Sequence, residues 1–559
     1  MEDNYGYCQD FKRKIYIHKR KKKLIPCTED YESMALSTLI QEAMKLWILS
    51  MLLVAYTEAA RILAFYPLGV KSHHYVFRPV LEALGRRGHE VVYYTGYPYK
   101  GTVPPGIVQI DISDELPDLH SSMKIEDFID TSALDDIRLG YEFTFMFTPF
   151  ILECTTVQKL ITSDEKFDAM ISESYFIQEY QSAFLHKFNA VGIETVTLGD
   201  FGWVNELAGL PDNPSYQVDF KAVLTQNMNF WERVYNTYIY AISKIGGYYY
   251  MNQMEGIVEK YFNYTGHESR PPFMQLLSNR SLILVNYNNV VGYPVPKPPH
   301  RKDIGGVTIT PRKPLPKRIQ TFMDDAPDGV VYLSLGSNLN VSDPANRKLV
   351  DAFMKVFEEV PQKVLMKWET PTFEGKLPKN VHLEKWYPQQ DILAHNNTVL
   401  FITHGGYLSL VEAVHFGVPV IGIPFFADQP KNFRFVEEAG IGKTLRLSEI
   451  NYDNVSRMVK EVLSNKTYKE EIIRMSKIFR DRPVEPVDEA VFWIEHVIKY
   501  PNVLKPKALS MSYIQLNLID VILLLLSVFL AVIFIAWKSI TIIIGILKGK
   551  STPVKEKRS

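Results

Sequence analysis

Short apolar runs followed by segments of helical spacing mark strand-then-helix units at separate places along the chain. Leu400 to Thr403 is β-branched and apolar, is bounded by glycine, and predicts a buried strand. Leu408 to Phe416 then carries helical spacing and stops at Gly417, a residue suited to the left-handed position that closes a helix. A second apolar strand, Val418 to Ile423, follows, so the order predicts a βαβ unit in a parallel sheet. Near the other end, Arg61 to Phe65 reads as a strand, Pro67 to His74 as a loop, and Tyr75 to Arg87 as a helix closed by Gly88, with Glu90 to Tyr94 as the next strand. Phe167 to Glu173 and Val330 to Leu335 predict further strands, the latter running into the small-residue turn Ser334-Leu335-Gly336-Ser337.

Two apolar runs are of another kind. Val521 to Trp537 is apolar apart from Ser527 and, extended by Leu516 to Ile519, is long enough to span a bilayer, with Asp520 near its border. Lys538, Lys548, Lys550, Lys555, Lys557 and Arg558 follow it and predict a cytosolic tail. The final Lys555-Glu556-Lys557-Arg558-Ser559 has the lysine spacing of an endoplasmic reticulum retrieval signal. Met44-Lys45, the run Leu46 to Ala55 and the pair Ala59-Ala60 read as a secretory signal peptide over 44–60, too short for a comfortable span. Residues 1–43, with the basic run Lys19 to Lys23, read as a start-site extension; a cytosolic arm that turns the apolar run into an anchor is the alternative. Pro294-Val295-Pro296-Lys297-Pro298-Pro299-His300 cannot continue a helix or a central strand, and it suggests domains at 61–293 and 294–515. A membrane helix at 516–537 and a basic tail at 538–559 complete the chain. The helices around Tyr452 to Ser464 and Glu489 to Tyr500 are expected to close the second domain, the last crossing back onto the first.

Composition narrows the class. The 559 residues, 46% hydrophobic and 22% charged, suffice for two ordinary domains, and a formal net charge of -1 supplies no field for nucleic acid. The 7 Trp, 32 Tyr and 31 Phe suit a greasy small-molecule pocket. Once the signal is removed Cys154 is the remaining cysteine, so packing rather than an internal disulfide must hold the body together. Glycosylation acceptors at Asn263, Asn279, Asn340, Asn396, Asn454 and Asn465 are consistent with lumenal exposure.

Candidate chemistry gathers at His404-Gly405-Gly406, between the predicted strand and helix. The glycines let the backbone turn sharply and approach a ligand, while the first helical amides and the helix dipole favour anionic oxygens. Ser409 and Glu412 are three apart on one helix face, the serine near the phosphates and the carboxylate one turn further in, suited to ribose hydroxyls. A helix cap with a surface glutamate would show the same local pattern, so the flanks matter. Upstream, Trp386-Tyr387-Pro388-Gln389-Gln390-Asp391 offers a flat aromatic for stacking on a base and an amide for hydrogen bonding. Downstream, Asp428-Gln429 follows Phe425-Phe426-Ala427 at a strand's carboxyl end, the edge where open α/β sheets bind ligands.

Trp386 to Gln429 resembles the donor-binding signature of the UDP-glycosyltransferase superfamily, the UDP-glucuronosyltransferase type of enzyme, and most closely its insect members. The resemblance covers nearly all of the chain from Met44 onward. It implies an α/β fold of two doubly wound Rossmann-like domains facing a cleft, the GT-B type, with an N-terminal acceptor-binding and a C-terminal UDP-sugar-binding half plus one C-terminal transmembrane helix. It implies that Trp386 stacks on uracil, that Gln389 and Glu412 hold the nucleoside, and that His404 and Ser409 contact the diphosphate, with Gly406 in the turn beside them. Asp428 and Gln429 would bind sugar hydroxyls, and Ser337 would be a further phosphate contact. Leu408 stands where many relatives carry asparagine, although insect-type members often tolerate leucine.

Transfer needs a base, because an acceptor hydroxyl is a poor nucleophile until its proton is removed. By position alone His73 is a loop histidine; by the resemblance, Ser72-His73 falls where the family carries its catalytic histidine, with His74 a second candidate. Glu173, where relatives often have aspartate, is expected to orient the imidazole, and Asp168 to cap a turn. The resemblance implies direct displacement with inversion, from UDP-glucose or UDP-glucuronate to a hydroxyl of a small lipophilic compound. It implies no metal and no other cofactor, and the sequence has no Asp-x-Asp pair, no His-Glu-x-x-His and no paired cysteines. The expected setting is the endoplasmic reticulum membrane, single-pass type I with lumenal catalytic domains, with homo- or hetero-oligomers left open. Two other readings stay open. A catalytically silent homologue serving as partner subunit or ligand-binding protein would be signalled by loss of His73 or Asp428. A same-fold enzyme such as a nucleotide-sugar epimerase would need neither lipophilic pocket nor anchor.

Overall fold

The computed structural model describes residues 41–42, 44–45, 59–117, 132–175, 178–199, 202–210, 213–336 and 340–549. The expected extension and signal peptide fall almost wholly outside the described residues, as do Ser337 and the tail from Lys550.

Thirteen strands form two all-parallel sheets. The first is built from β1 (Arg61–Tyr66), β2 (Glu90–Thr95), β3 (Ile107–Asp111), β4 (Ala169–Ser172), β5 (Val191–Val196), β6 (Leu282–Val285) and β7 (Arg301–Asp303). The second is built from β8 (Val330–Ser334), β9 (Lys363–Lys367), β10 (Val381–Glu384), β11 (Thr398–Thr403), β12 (Val420–Gly422) and β13 (Gly442–Thr444). Their orders are β3-β2-β1-β4-β5-β6-β7 and β10-β9-β8-β11-β12-β13. Each order therefore reverses beside its first strand, at β1/β4 and β8/β11, and the crevice outside the carboxyl ends at that point is where such sheets take ligands. Central strands are largely apolar because helices cover both faces; β8 is buried at every residue, and the exception in β5, Glu194, is buried against Arg280 at 3.0 Å.

Helix α1 (Lys71–Arg86) begins earlier than the expected Tyr75. The carbonyl of Val70 accepts hydrogen bonds from the N–H groups of both His73 and His74, which starts the helix there and puts His73 in its first turn. Helices α2 (Ala133–Glu153) and α3 (Phe230–Tyr261) pack together over the first half. In the second half, α4 (Tyr407–Phe416) stops at Gly417, whose φ of 68° is the left-handed closure the spacing predicts. It is followed by α5 (Gln429–Glu438) and α6 (Lys466–Arg480).

Helix α7 (Pro486–Lys499) crosses back onto the first half. Its Ala490, Val491, Ile494 and Val497 are buried in one core with Ile62, Val76 and Leu284, and Arg87 grips Glu495 with two bonds of 2.6 and 2.8 Å. Strand β7 lies beyond the proline-rich stretch yet belongs to the first sheet. Its composition, Arg-Lys-Asp, hides it from a hydrophobicity reading; the buried Arg301 guanidinium donates to Asp303 at 3.2 Å and to Asn205 at 2.6 Å. Helix α8 (Ile519–Gly549) is apolar, buries none of its residues, and runs on past Trp537 through Lys538. It is long and apolar enough to cross a membrane.

Candidate active site

The register of β1 against β4 pairs Phe65 with Ser172, so the residues beyond the two strand ends lie side by side. His73 Nδ1 sits 2.7 Å from Glu173 Oε2, with both side chains buried. Thr197, just past the end of β5, donates its hydroxyl to the other carboxylate oxygen. With the Nδ1 proton held by Glu173, the lone pair of the imidazole falls on Nε2. The glutamate thus reaches the imidazole from just beyond the end of β4, and the threonine fixes it. His74 behaves differently. Its Nε2–H donates to the Leu68 carbonyl at 2.6 Å, its Nδ1 meets the Tyr93 hydroxyl at 2.5 Å, and burial pushes its pKa down to about 3. Both nitrogens are occupied, which removes it as a base. Asp168 accepts the Arg61 N–H at 2.8 Å and so joins the starts of β4 and β1, where a turn cap was expected.

The second half supplies the other wall. Gly405 has a φ of +87°, and a Cβ there would come 2.4 Å from the Phe433 ring, so the turn after β11 admits only glycine. The His404 imidazole is held between two more glycines: a Cβ at Gly336 would lie 2.7 Å from its Cε1, and one at Gly406 2.8 Å from its Nε2. Burial, helped by the nearby Lys367 ammonium, pushes the His404 pKa down to about 4, so the ring is neutral at physiological pH.

Gln389, Ser409 and Glu412 come together. Gln389 Nε2 donates to Ser409 Oγ at 3.2 Å and to Glu412 Oε2 at 2.7 Å. Gln390, which the sequence reading passed over, donates to Glu412 Oε1 at 2.9 Å and to the Thr308 carbonyl at 2.9 Å. Burial raises the pKa of Glu412, and the two amides oppose that rise. Trp386 is 58% exposed, a flat ring open to a ligand.

Asp428 accepts the Tyr407 N–H at 3.2 Å and an amide proton of Asn432 at 2.5 Å; Asn432 also donates to the Gly405 carbonyl at 2.9 Å. One first-turn amide of α4 is therefore already taken by a carboxylate. Burial raises the Asp428 pKa to about 6, while the charge of His73 acts in the opposite sense, which puts the two residues within electrostatic reach across the halves. Gln429 Oε1 accepts the N–H groups of Phe425 and Phe426 at 2.9 and 3.3 Å, so its amide NH2 is the end that can turn to a ligand. Ala427, between them, sits at a φ of 56°, strained backbone for a residue with a Cβ.

Tyr407 is a second residue the sequence reading missed. Its ring stacks on Tyr287, and its hydroxyl accepts the Asn288 N–H at 3.0 Å, joining the two halves. The available signal was an aromatic residue at the first helical position after a glycine pair. A cavity between the halves is lined by Leu198, Phe220, Tyr287, Tyr293 and Tyr407, with Asp428 at its wall. Among the described residues no group of three or more His, Cys, Asp or Glu side chains is arranged to hold a metal ion.

Two parallel sheets of this order, each with its crevice at the carboxyl ends of the strands, define the GT-B fold. The solved structure of the calicheamicin glycosyltransferase CalG4 shares the fold, with a TM-score of 0.50 at 16% identity over 80% of this chain and 100% of that one. Residues 148–552 match the family described as UDP-glucoronosyl and UDP-glucosyl transferase. UDP-glucosyltransferase 2 of Dactylopius coccus is 33% identical over 86% of this chain and 93% of its own length. UDP-glucuronosyltransferase 1A9 of Mus musculus is 30% identical over 84% and 89%. The chain belongs to this family and is a hexosyltransferase of the UDP-glucosyl or UDP-glucuronosyl type.

Proposed function

We propose that the chain moves glucose or glucuronate from UDP to the hydroxyl of a small lipophilic acceptor, with inversion at the anomeric carbon. The observation that carries this reading is the buried His73–Glu173 pair beyond the carboxyl ends of β1 and β4, with Thr197 held to the second carboxylate oxygen. His73 Nε2 takes the acceptor proton as the acceptor oxygen forms its bond to the anomeric carbon. The bond from that carbon to the UDP oxygen breaks, and its electron pair leaves with UDP. Glu173, held by Thr197, keeps the imidazole in the required tautomer and stabilises the imidazolium.

On the donor side, Trp386 stacks on uracil, Gln389 and Glu412 hold the ribose hydroxyls, and Ser409, His404 and the Gly406 backbone meet the diphosphate. Ser337, outside the described residues, would add a phosphate contact. The neutral His404 donates a hydrogen bond without adding a charge. Asp428 and Gln429 take the sugar hydroxyls. The scheme uses UDP-sugar as a co-substrate and calls on no metal or other cofactor. Helix α8 anchors the chain in the endoplasmic reticulum membrane, with its lysines on the cytosolic side and both halves in the lumen.

Microsomes carrying the chain, given labelled UDP-glucose or UDP-glucuronate with a panel of phenols and sterols, test this directly. Transfer is expected from the wild type and not from His73→Ala. Transfer that survives the substitution overturns the base assignment, and no transfer to any acceptor favours a silent partner.

A further inference from the structure

Helix α3 turns an aromatic face to solvent. Trp231 is 75% exposed, Tyr235 42%, Tyr238 50%, Ile245 70% and Tyr249 63%. Their spacing puts them in one stripe, while Asn236, Ile239, Tyr240, Gly247, Met251 and Met254 of the same helix are buried. The buried side is fully committed: Tyr250, beside it, stacks on Tyr141 of α2 with centroids 4.1 Å apart. No charge interrupts the stripe. Between Trp231 and Tyr249 the helix carries Glu232, Arg233 and Lys244, and each is tied elsewhere. Glu232 caps the helix through the Asn229 N–H, Arg233 donates to the Met228 carbonyl, and Lys244 pairs with Glu206 at 2.6 Å.

The stripe is continuous with the root of the apolar helix. Tyr248 donates to Glu206 at 2.9 Å and feels the Tyr513 hydroxyl. A Cβ on Gly209 would lie 3.0 Å from Leu509 and 3.2 Å from Ala508, so the segment leading into α8 packs against this corner. Tyr513, Ile514 and Leu518 are exposed there too. The path from Tyr513 to Ile519 can span no more than about 20 Å. At its other end α3 starts beside the cleft, where Asn227 donates to Glu438 at 2.5 Å and Tyr293, of the inter-half cavity, bonds the same carboxylate.

We infer that α3 lies on the lumenal bilayer surface, with Trp231, Tyr235, Tyr238, Ile245 and Tyr249 seated among the lipid headgroups. Neutral Trp and Tyr side chains are the residues that favour this layer, with the ring in apolar surroundings and the polar tip wet. A helix bound in this way gains from buried apolar area without spanning the membrane. The inference rests on α8 being a membrane anchor. Its consequence is a lipid-facing route that begins at the membrane and ends at the cavity between the halves.

The test uses the full chain in liposomes of phosphatidylcholine brominated in mid-acyl chain. The emission of Trp231 is the difference between wild type and Trp231→Phe, and that of Trp537, inside α8, the difference from Trp537→Phe. Brominated lipid should remove roughly half or more of the Trp231 emission. Quenching of Trp537 alone overturns the inference and leaves the anchor standing, whereas loss of the Trp537 quenching overturns the anchor reading first. Trp231 emission that escapes both brominated lipid and aqueous acrylamide overturns it in favour of a second copy covering the face. Independently, Tyr235→Glu/Tyr238→Glu/Tyr249→Glu should raise KM about tenfold for a bilayer-partitioned phenol and leave it unchanged for a water-soluble one. Equal KM shifts overturn the inference.

Discussion

Tyr407 stacks on Tyr287 with ring centroids 5.9 Å apart and planes 11° apart, so the residue that begins α4 of the second half is also a clasp to the first. Its hydroxyl receives the Asn288 N–H. Tyr407→Phe leaves that N–H without its acceptor and should cost about 1 kcal/mol. Tyr407→Ala also removes the stack and should cost about 3 kcal/mol. Thermal unfolding with and without UDP measures both, and an alanine variant that melts with the wild type would show that the clasp holds nothing.

Glu173→Gln keeps the shape of the dyad but replaces the acceptor of the imidazole proton with an amide. The proposed base then loses its preferred tautomer and its counter-charge, and kcat should fall by about 100-fold or more. The fall should appear in kcat rather than in the donor KM. Wild-type kcat in the glutamine variant would remove Glu173 from the mechanism.

Asp428 makes a stability prediction with a definite sign. Its folded pKa, about 6, stands above the ordinary value of 3.8. The folded protein thus keeps a proton that the unfolded chain has released, so the group's contribution declines as pH rises from about 4 to about 6. The decline amounts to about 3 kcal/mol and is complete above that window. Asp428→Asn retains an oxygen for the Tyr407 N–H and escapes the charge. It should therefore melt higher than wild type at pH 7.5, with the gain shrinking toward pH 4, while sugar transfer falls by an order of magnitude or more. A variant less stable than wild type at pH 7.5 would make the ionised carboxylate a net asset.

Trp386 isolates binding from stability. Being largely exposed, it supports no core, so Trp386→Ala should leave the melting temperature unchanged. Loss of a base-stacking ring should cost about 1 to 2 kcal/mol, seen as a donor KM raised about tenfold at constant kcat. Unchanged UDP binding in a calorimetric titration would move the uracil elsewhere.

The readable parts of this chain were those in which burial writes itself into composition. β8 and β11 are apolar runs because helices cover both their faces, and the glycine turns at Gly405 and Gly417 follow from the conformations they adopt. His73 and Glu173 were found as separate motifs, and their 2.7 Å approach depends on β1 and β4 being neighbours, a long-range pairing with no local signature. β7 escaped because its buried arginine is paired, which erases the hydrophobic signal of a strand. Gln390 escaped because a helical neighbour of a named residue is ordinarily turned away; here Glu412 has two oxygens and accepts from both amides.

The return of α7 to the first half has a mechanical consequence. The second sheet is entered after β7 and left before α7, and both flanking segments pack on the first half. Topologically the second half is an insertion, joined to the first by two chain crossings rather than one. The first half thus carries the returning helix and, beyond it, the chain that leads to α8, so both ends of the inserted half are fixed on the half next to the apolar helix.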